Sequence, residues 1–142
     1  MICSWSVARR AVWGVAALVA VAWLAVAIDH RMRAAGVLLR FEGARQPAWV
    51  AHYREHTFDV GELSFAAGSG RVYVPRGLAR PRGILLVHGM HEAGIDEPRL
   101  VRFARALAGA GLFVLTPRLD GLAHYRLSAG DVAGIAASAR VL

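Results

Sequence analysis

The chain has no lysine, no asparagine, one cysteine and only ten acidic residues among its 142. A lone cysteine, Cys3, excludes a disulfide framework and any zinc site built from several thiolates. With lysine absent, all 17 basic side chains are arginine. Together with the wealth of Ala and Gly, this is the pattern a GC-rich genome imposes through codon choice. The formal net charge of +7 therefore says less about partners than it first suggests. The arginines run from Arg9 to Arg140 with no cluster longer than two. Nucleic-acid binders gather such charge on one face or stripe, so no nucleic-acid partner is expected. Neither Gly-x-Gly-x-x-Gly nor a P-loop follows any apolar run, which argues against a nucleotide site. The apolar fraction of 56% excludes a disordered chain, and the glycines follow no collagen period.

What is present begins with Ala11–Ile28, eighteen residues without a charge. As a helix this segment spans roughly 27 Å, close to the thickness of a bilayer's hydrocarbon core. Arg9 and Arg10 precede it, Asp29, His30, Arg31 and Arg33 follow it, and Trp5, Trp13 and Trp23 suit its interfaces. The expected organisation is a basic stretch (1–10), a transmembrane or signal-anchor helix (11–28), a juxtamembrane linker (29–56) and a folded part (57–142). The small-x-small triplet Ala25–Ala27 leaves a cleaved signal peptide, with export, as the alternative. The localisation expected is single-pass in a bacterial inner membrane, with residues 11–28 as the membrane partner. Arg31–Phe41 can continue the helix until Gly43, Gln46 and Pro47 break it. His52 and His56 stand four apart, but no third ligand lies nearby.

The remainder alternates strand and helix signals. Val60–Phe65 and Arg71–Val74, around a turn cluster at Ala67–Gly70, read as a β-hairpin. Gly83–Val87 is a continuous apolar run, as expected of a parallel strand buried on both faces. Asp96 is the expected N-cap of a helix with Pro98 in its first turn and an apolar stripe of Leu100, Phe103, Ala104 and Leu107. Leu112–Thr116 is a second apolar strand. Ser128 caps a last helix whose apolar residues include Val132, Ile135, Ala136 and Val141. Such alternation implies parallel strands covered by helices. Ligand sites in these sheets form at the carboxyl ends of the strands, which singles out His88–Gly89–Met90 and, after the second strand, Asp120 and His124.

The order hairpin, Gly83-Ile-Leu-Leu-Val-His-Gly89, a helix ending Ala106-Leu-Ala-Gly-Ala-Gly-Leu112, then Phe113-Val-Leu-Thr-Pro117 resembles the N-terminal half of an α/β-hydrolase. Pro117 and Arg118 depart from it, standing where many members reach an aspartate or a glycine-rich turn. The resemblance covers Val60 to Leu142. It implies a partial α/β-hydrolase sheet, a β-hairpin followed by two β-α units, preceded by one transmembrane helix. It also implies an oxyanion-hole turn in which the Met90 amide donates and Gly89 permits the bend. His88 would orient the loop, and His91 and Asp96 would lie near substrate. The activity implied is that of a serine hydrolase acting on a small-molecule acyl substrate through an acyl-enzyme.

The nucleophile of that family sits in Gly-x-Ser-x-Gly. None of Ser4, Ser6, Ser64, Ser69, Ser128 and Ser138 has glycine at both minus two and plus two; Ser69 has Gly68 and Gly70 only as immediate neighbours, in a turn cluster. Nucleophile, acid and base are therefore expected to be missing from these 142 residues, and this chain is expected to be an inactive fragment ending before its elbow. The alternative is a membrane-anchored, non-catalytic interaction protein with half the fold. His88-x-x-His91-Glu92 matches neither His-Glu-x-x-His nor His-x-x-Glu-His, so no metal is expected, and no cofactor.

Overall fold

From Ser4 onward the sequence offers no proline before Pro47 and is rich in alanine, the strongest helix former. It folds accordingly as one helix, α1 (Ser4–Glu42). The computed structural model describes residues 4–42, 47–53 and 55–142, with side chains from Trp13 onward and without those of Ala51 and His52. The expectations placed on Cys3, Trp5, Arg9, Arg10 and the His52 side chain lie outside what is described. Trp13, Leu18 and Trp23 are all about 70% exposed, and the apolar stretch within α1 is long enough to cross a membrane. The charges after Ile28 do not stop the helix. Arg33 pairs with Asp29 one turn earlier at 2.8 Å, the spacing that supports helical structure.

The last two turns of α1 dock on the folded part. Val37 is buried, and the Phe41 ring meets Phe103 edge-on at 5.3 Å. Arg40, its side chain nearly covered, pairs with Glu55 at 2.5 Å and donates to the Tyr53 carbonyl at 2.9 Å. A short helix, α2 (Ala48–His52), seats Val50 in full burial beside Gly36.

Four strands form one mixed sheet: β1 (Phe58–Phe65), β2 (Gly68–Pro75), β3 (Gly83–Leu85) and β4 (Phe113–Pro117). The order is β1-β2-β4-β3, with β2 antiparallel to both neighbours and β3 parallel to β4. The hairpin register pairs Phe65 with Gly68. The turn is therefore Ala66-Ala67, and Gly68–Gly70, expected in the turn, belong to β2 instead. Gly70 is fixed by packing. A Cβ there would lie 2.6 Å from the Thr116 carbonyl oxygen and 3.0 Å from the Pro117 Cα.

β3 corrects a further expectation. Ile84 and Leu85 are only half-buried and Val87 is exposed, because among the described residues β3 is the outer strand and pairs on one side alone. Between β3 and β4, α3 (Pro98–Gly109) lays Ala104, Leu107 and Ala108 over the sheet. Its core partners include Tyr73 and Val114. After β4 come a single turn, α4 (Asp120–Ala123), and α5 (Ala129–Ala139). The face α5 buries is not the expected apolar one. Asp131, Gly134 and Ser138 face inward, Ile135 is half-buried, and Val132 and Val141 are exposed at 55% and 42%.

Candidate functional site: the turn after the third strand

The parallel pair β3–β4 directs both carboxyl ends to one side of the sheet. Leu86 extends the ladder by donating to the Leu115 carbonyl at 2.9 Å, and the chain then turns at His88. The His88 ring is 3% exposed. Its Nε2 accepts from the Leu119 amide at 3.3 Å, and its Nδ1 lies 2.9 Å from the Gly89 carbonyl oxygen. This pairing assigns the proton to Nδ1, so the ring is a neutral acceptor on one side and a donor on the other. His88 thereby ties the turn after β3 to the loop after β4.

Gly89 and Met90 stand outward on this brace, Met90 at 55% exposure. Among the described residues their amides meet no hydrogen-bond acceptor. Two adjacent unpaired donors at the carboxyl end of a parallel strand can stabilise a developing oxyanion; a single donor of this kind is worth roughly 3–4 kcal/mol in catalysis.

The loop that follows is pinned at several points. His91 is exposed, and its Nδ1 accepts from the Ala93 amide at 3.1 Å. Gly94 adopts φ +51°, and a Cβ there would rest 3.8 Å from the His88 ring. Ile95 is buried, in a short 3₁₀ turn, Gly94–Asp96.

Asp96 is not the cap of α3. Glu97 is, accepting from the Leu100 amide at 2.6 Å. Pro98 occupies the first helical position, so the cap must be the residue directly before it. The Arg99 and Leu100 amides hold the Glu97 carboxyl below the usual carboxylate range. Asp96 instead pairs with Arg71 of β2 at 2.8 Å. That bond anchors the loop across the sheet and leaves Asp96 engaged.

After β4, His124 and Asp120 close only a local contact, His124 Nδ1 to the Asp120 carbonyl oxygen at 2.7 Å. The group that organises this side is Asp131. Its carboxylate receives the Ser128 hydroxyl (2.6 Å), the Ser128 amide (2.8 Å) and the Gly121 amide (3.1 Å). Those donors, the Ser128 hydroxyl foremost, hold Asp131 below the usual range. The Ser-x-x-Asp spacing is the signal that marks it, a capping box.

A second feature left little trace in the sequence. An apolar cavity of about 350 Å³ lies between α1 and α3, lined by Leu38 and Phe41 on one side and Leu100 and Phe103 on the other. His88, Gly89, His91 and Gly94 also line it, so the turn after β3 borders the cavity. Apolar residues three apart on both helices, Leu38/Phe41 and Leu100/Phe103, are the only trace of it in the sequence. Among the described residues no group of three or more His, Cys, Asp or Glu is placed to hold a metal ion. Compared with known proteins, the chain matches no protein-family model, no curated protein and no solved structure.

Proposed function

We propose that this chain is the membrane-anchored N-terminal portion of an α/β-hydrolase domain, supplying the oxyanion turn for acyl transfer. The observation that carries the reading is the turn itself. His88 braces it through Leu119, and at the carboxyl end of a strand in a parallel pair the amides of Gly89 and Met90 meet no acceptor among the described residues. Negative charge builds on the carbonyl oxygen of an ester in the transition state, and preorganised amides stabilise it there without needing to reorient.

The reading assigns serine, acid and base to a segment outside these residues, since no serine here lies in an elbow motif. The sheet offers a place for such a segment. β2 and β4 are paired on both sides, while the outer edge of β3 is open among the described residues. Leu142 lies against Gly83, at the amino end of that edge. The anchor is α1, whose apolar stretch is long enough to span a bilayer.

The test compares this chain with one extended through the downstream reading frame, on a short-chain p-nitrophenyl ester. The extended chain turns over and loses turnover with Met90→Pro, which removes one donor. Turnover by the 142-residue chain itself, abolished by the same substitution, would overturn the assignment of the nucleophile.

A second reading, a membrane-anchored interaction protein, draws on the outward apolar residues of α5 and its flanks: Leu127 at 65%, Val132 at 55% and Leu142 at 45% exposure. Together with an open strand edge, such a surface calls for a cover. A monodisperse species with cooperative unfolding for the chain alone favours this second reading; aggregation and proteolysis favour the first.

A further inference from the structure

We infer that the cavity between α1 and α3 binds an anionic single-chain amphiphile taken from the membrane surface, with the anchor helix itself forming one wall of the site. Three observations converge. The first is the lining. Leu38 and Phe41 face Leu100 and Phe103 across about 350 Å³ of chiefly apolar space, the small end of the range for ligand sites and suited to one acyl chain.

The second is position. α1 is unbroken from the apolar stretch to the cavity. Leu38 stands ten residues past Ile28, or roughly 15 Å along the helix axis. The headgroup layer occupies about 5–8 Å on each side of the hydrocarbon core, so the cavity opens just beyond it. A molecule reaching the site must leave the bilayer. One acyl chain gives only marginal, reversible membrane binding, whereas two chains hold far more firmly; this selects a single-chain ligand.

The third is charge. A polar hollow of about 300 Å³ adjoins the apolar one through Phe41 and Arg99, and is lined also by Glu42 and Arg102. Neither arginine closes an ion pair among the described residues. Arg102 lies over the Phe41 ring at 6.0 Å. In this hollow the two guanidiniums, one turn apart on α3, face the single Glu42 carboxylate; the other carboxylate at its border, Glu97, is engaged as the α3 cap by the Leu100 amide at 2.6 Å. The arrangement favours an anionic head, which an arginine fork grips in bidentate fashion. The tail then lies between the helices and the head on Arg99 and Arg102.

This inference goes beyond the acyl-transfer reading and needs no nucleophile, so absence of ester turnover in the extended chain would leave it untouched. The experiment uses the full chain in phosphatidylcholine nanodiscs, titrated with dansyl-undecanoic acid against protein-free nanodiscs. Saturable fluorescence above the protein-free background is expected. Leu38→Trp fills the cavity from a position that is 58% exposed, so the fold is kept while affinity drops about tenfold or more. Arg99→Glu weakens the carboxylate probe about tenfold and leaves the dansyl-labelled alcohol of equal length unchanged. A photoreactive diazirine fatty acid gives a second readout, with adducts expected at Leu38–Phe41 and Leu100–Phe103. Binding no greater than in empty nanodiscs, affinity indifferent to Leu38→Trp, or adducts confined to Trp13–Ile28 would each overturn the inference.

Discussion

Replacing His88 by leucine isolates the bond that holds the turn in place. Leucine is close to imidazole in size, so the ring's volume beside Gly94 is largely kept while both of its polar atoms go. Nε2 is the acceptor for the Leu119 amide, and Leu119 is itself buried at 3% exposure. The substitution leaves that N–H without a partner and without water, at about 1–3 kcal/mol for an orphaned buried donor. In a small domain each kcal/mol moves the thermal midpoint by about 4–8 °C, so the expected drop is roughly 5–20 °C. The control is His91→Leu, three residues on and exposed, expected to stay within about 0.5 kcal/mol of the parent. The assay is thermal unfolding of the full chain in detergent micelles, followed by near-ultraviolet circular dichroism. Equal midpoints for His88→Leu and His91→Leu would refute the reasoning, because the buried brace would then carry no more than a surface side chain does.

Gly70→Ala sets a Cβ against the backbone of β4, 2.6 Å from the Thr116 carbonyl oxygen, and an overpacking cost of about 1–3 kcal/mol is expected in the urea midpoint. Gly61→Ala, whose Cβ would meet only Val72 at 3.8 Å, is the mild counterpart. Acid acts through Asp131, which Ser128 and Gly121 hold below its ordinary pKa. A lowered folded pKa contributes stability that is fully present above the unfolded value and is lost as pH falls through the folded one. The unfolding midpoint should therefore decline below about pH 4. Asp131→Asn should be less stable at pH 7 yet lose less between pH 5 and pH 3, and an identical acid profile for parent and variant would count against that role.

Where one local rule decides an element, the sequence is transparent. The hairpin, α3 and β4 follow from alternation, from a three-and-four spacing and from an apolar run closed by Pro117. The misplaced cap at Asp96 was legible too, since Pro98 at the first helical position points to Glu97. α5 defeats the apolar pattern for a different reason. Asp131 is bound to Gly121 and Ser128, and a Cβ on Gly134 would lie 3.2 Å from Leu119. Satisfying a buried carboxylate and fitting a small residue closely set the helix's rotation, leaving Val132 outside. The half-exposure of β3 likewise depends on which strands lie beside it, a non-local fact.

The cavity is the limiting case. Leu38 and Phe41 read equally well as the tail of an anchor and as a wall of a site. Only the crossing of α1 over α3, fixed by Phe41 on Phe103 and by Arg40 on Glu55 and Tyr53, decides between them. That crossing also joins the two halves of the functional argument. The helix whose apolar stretch is long enough to span a membrane is the same one that closes an apolar space beside Gly89. A ligand seated there would be bound by the anchor and presented to the turn at once. Breaking α1 between the span and the cavity, as Ala34→Pro would, should therefore weaken the amphiphile site while leaving membrane attachment intact.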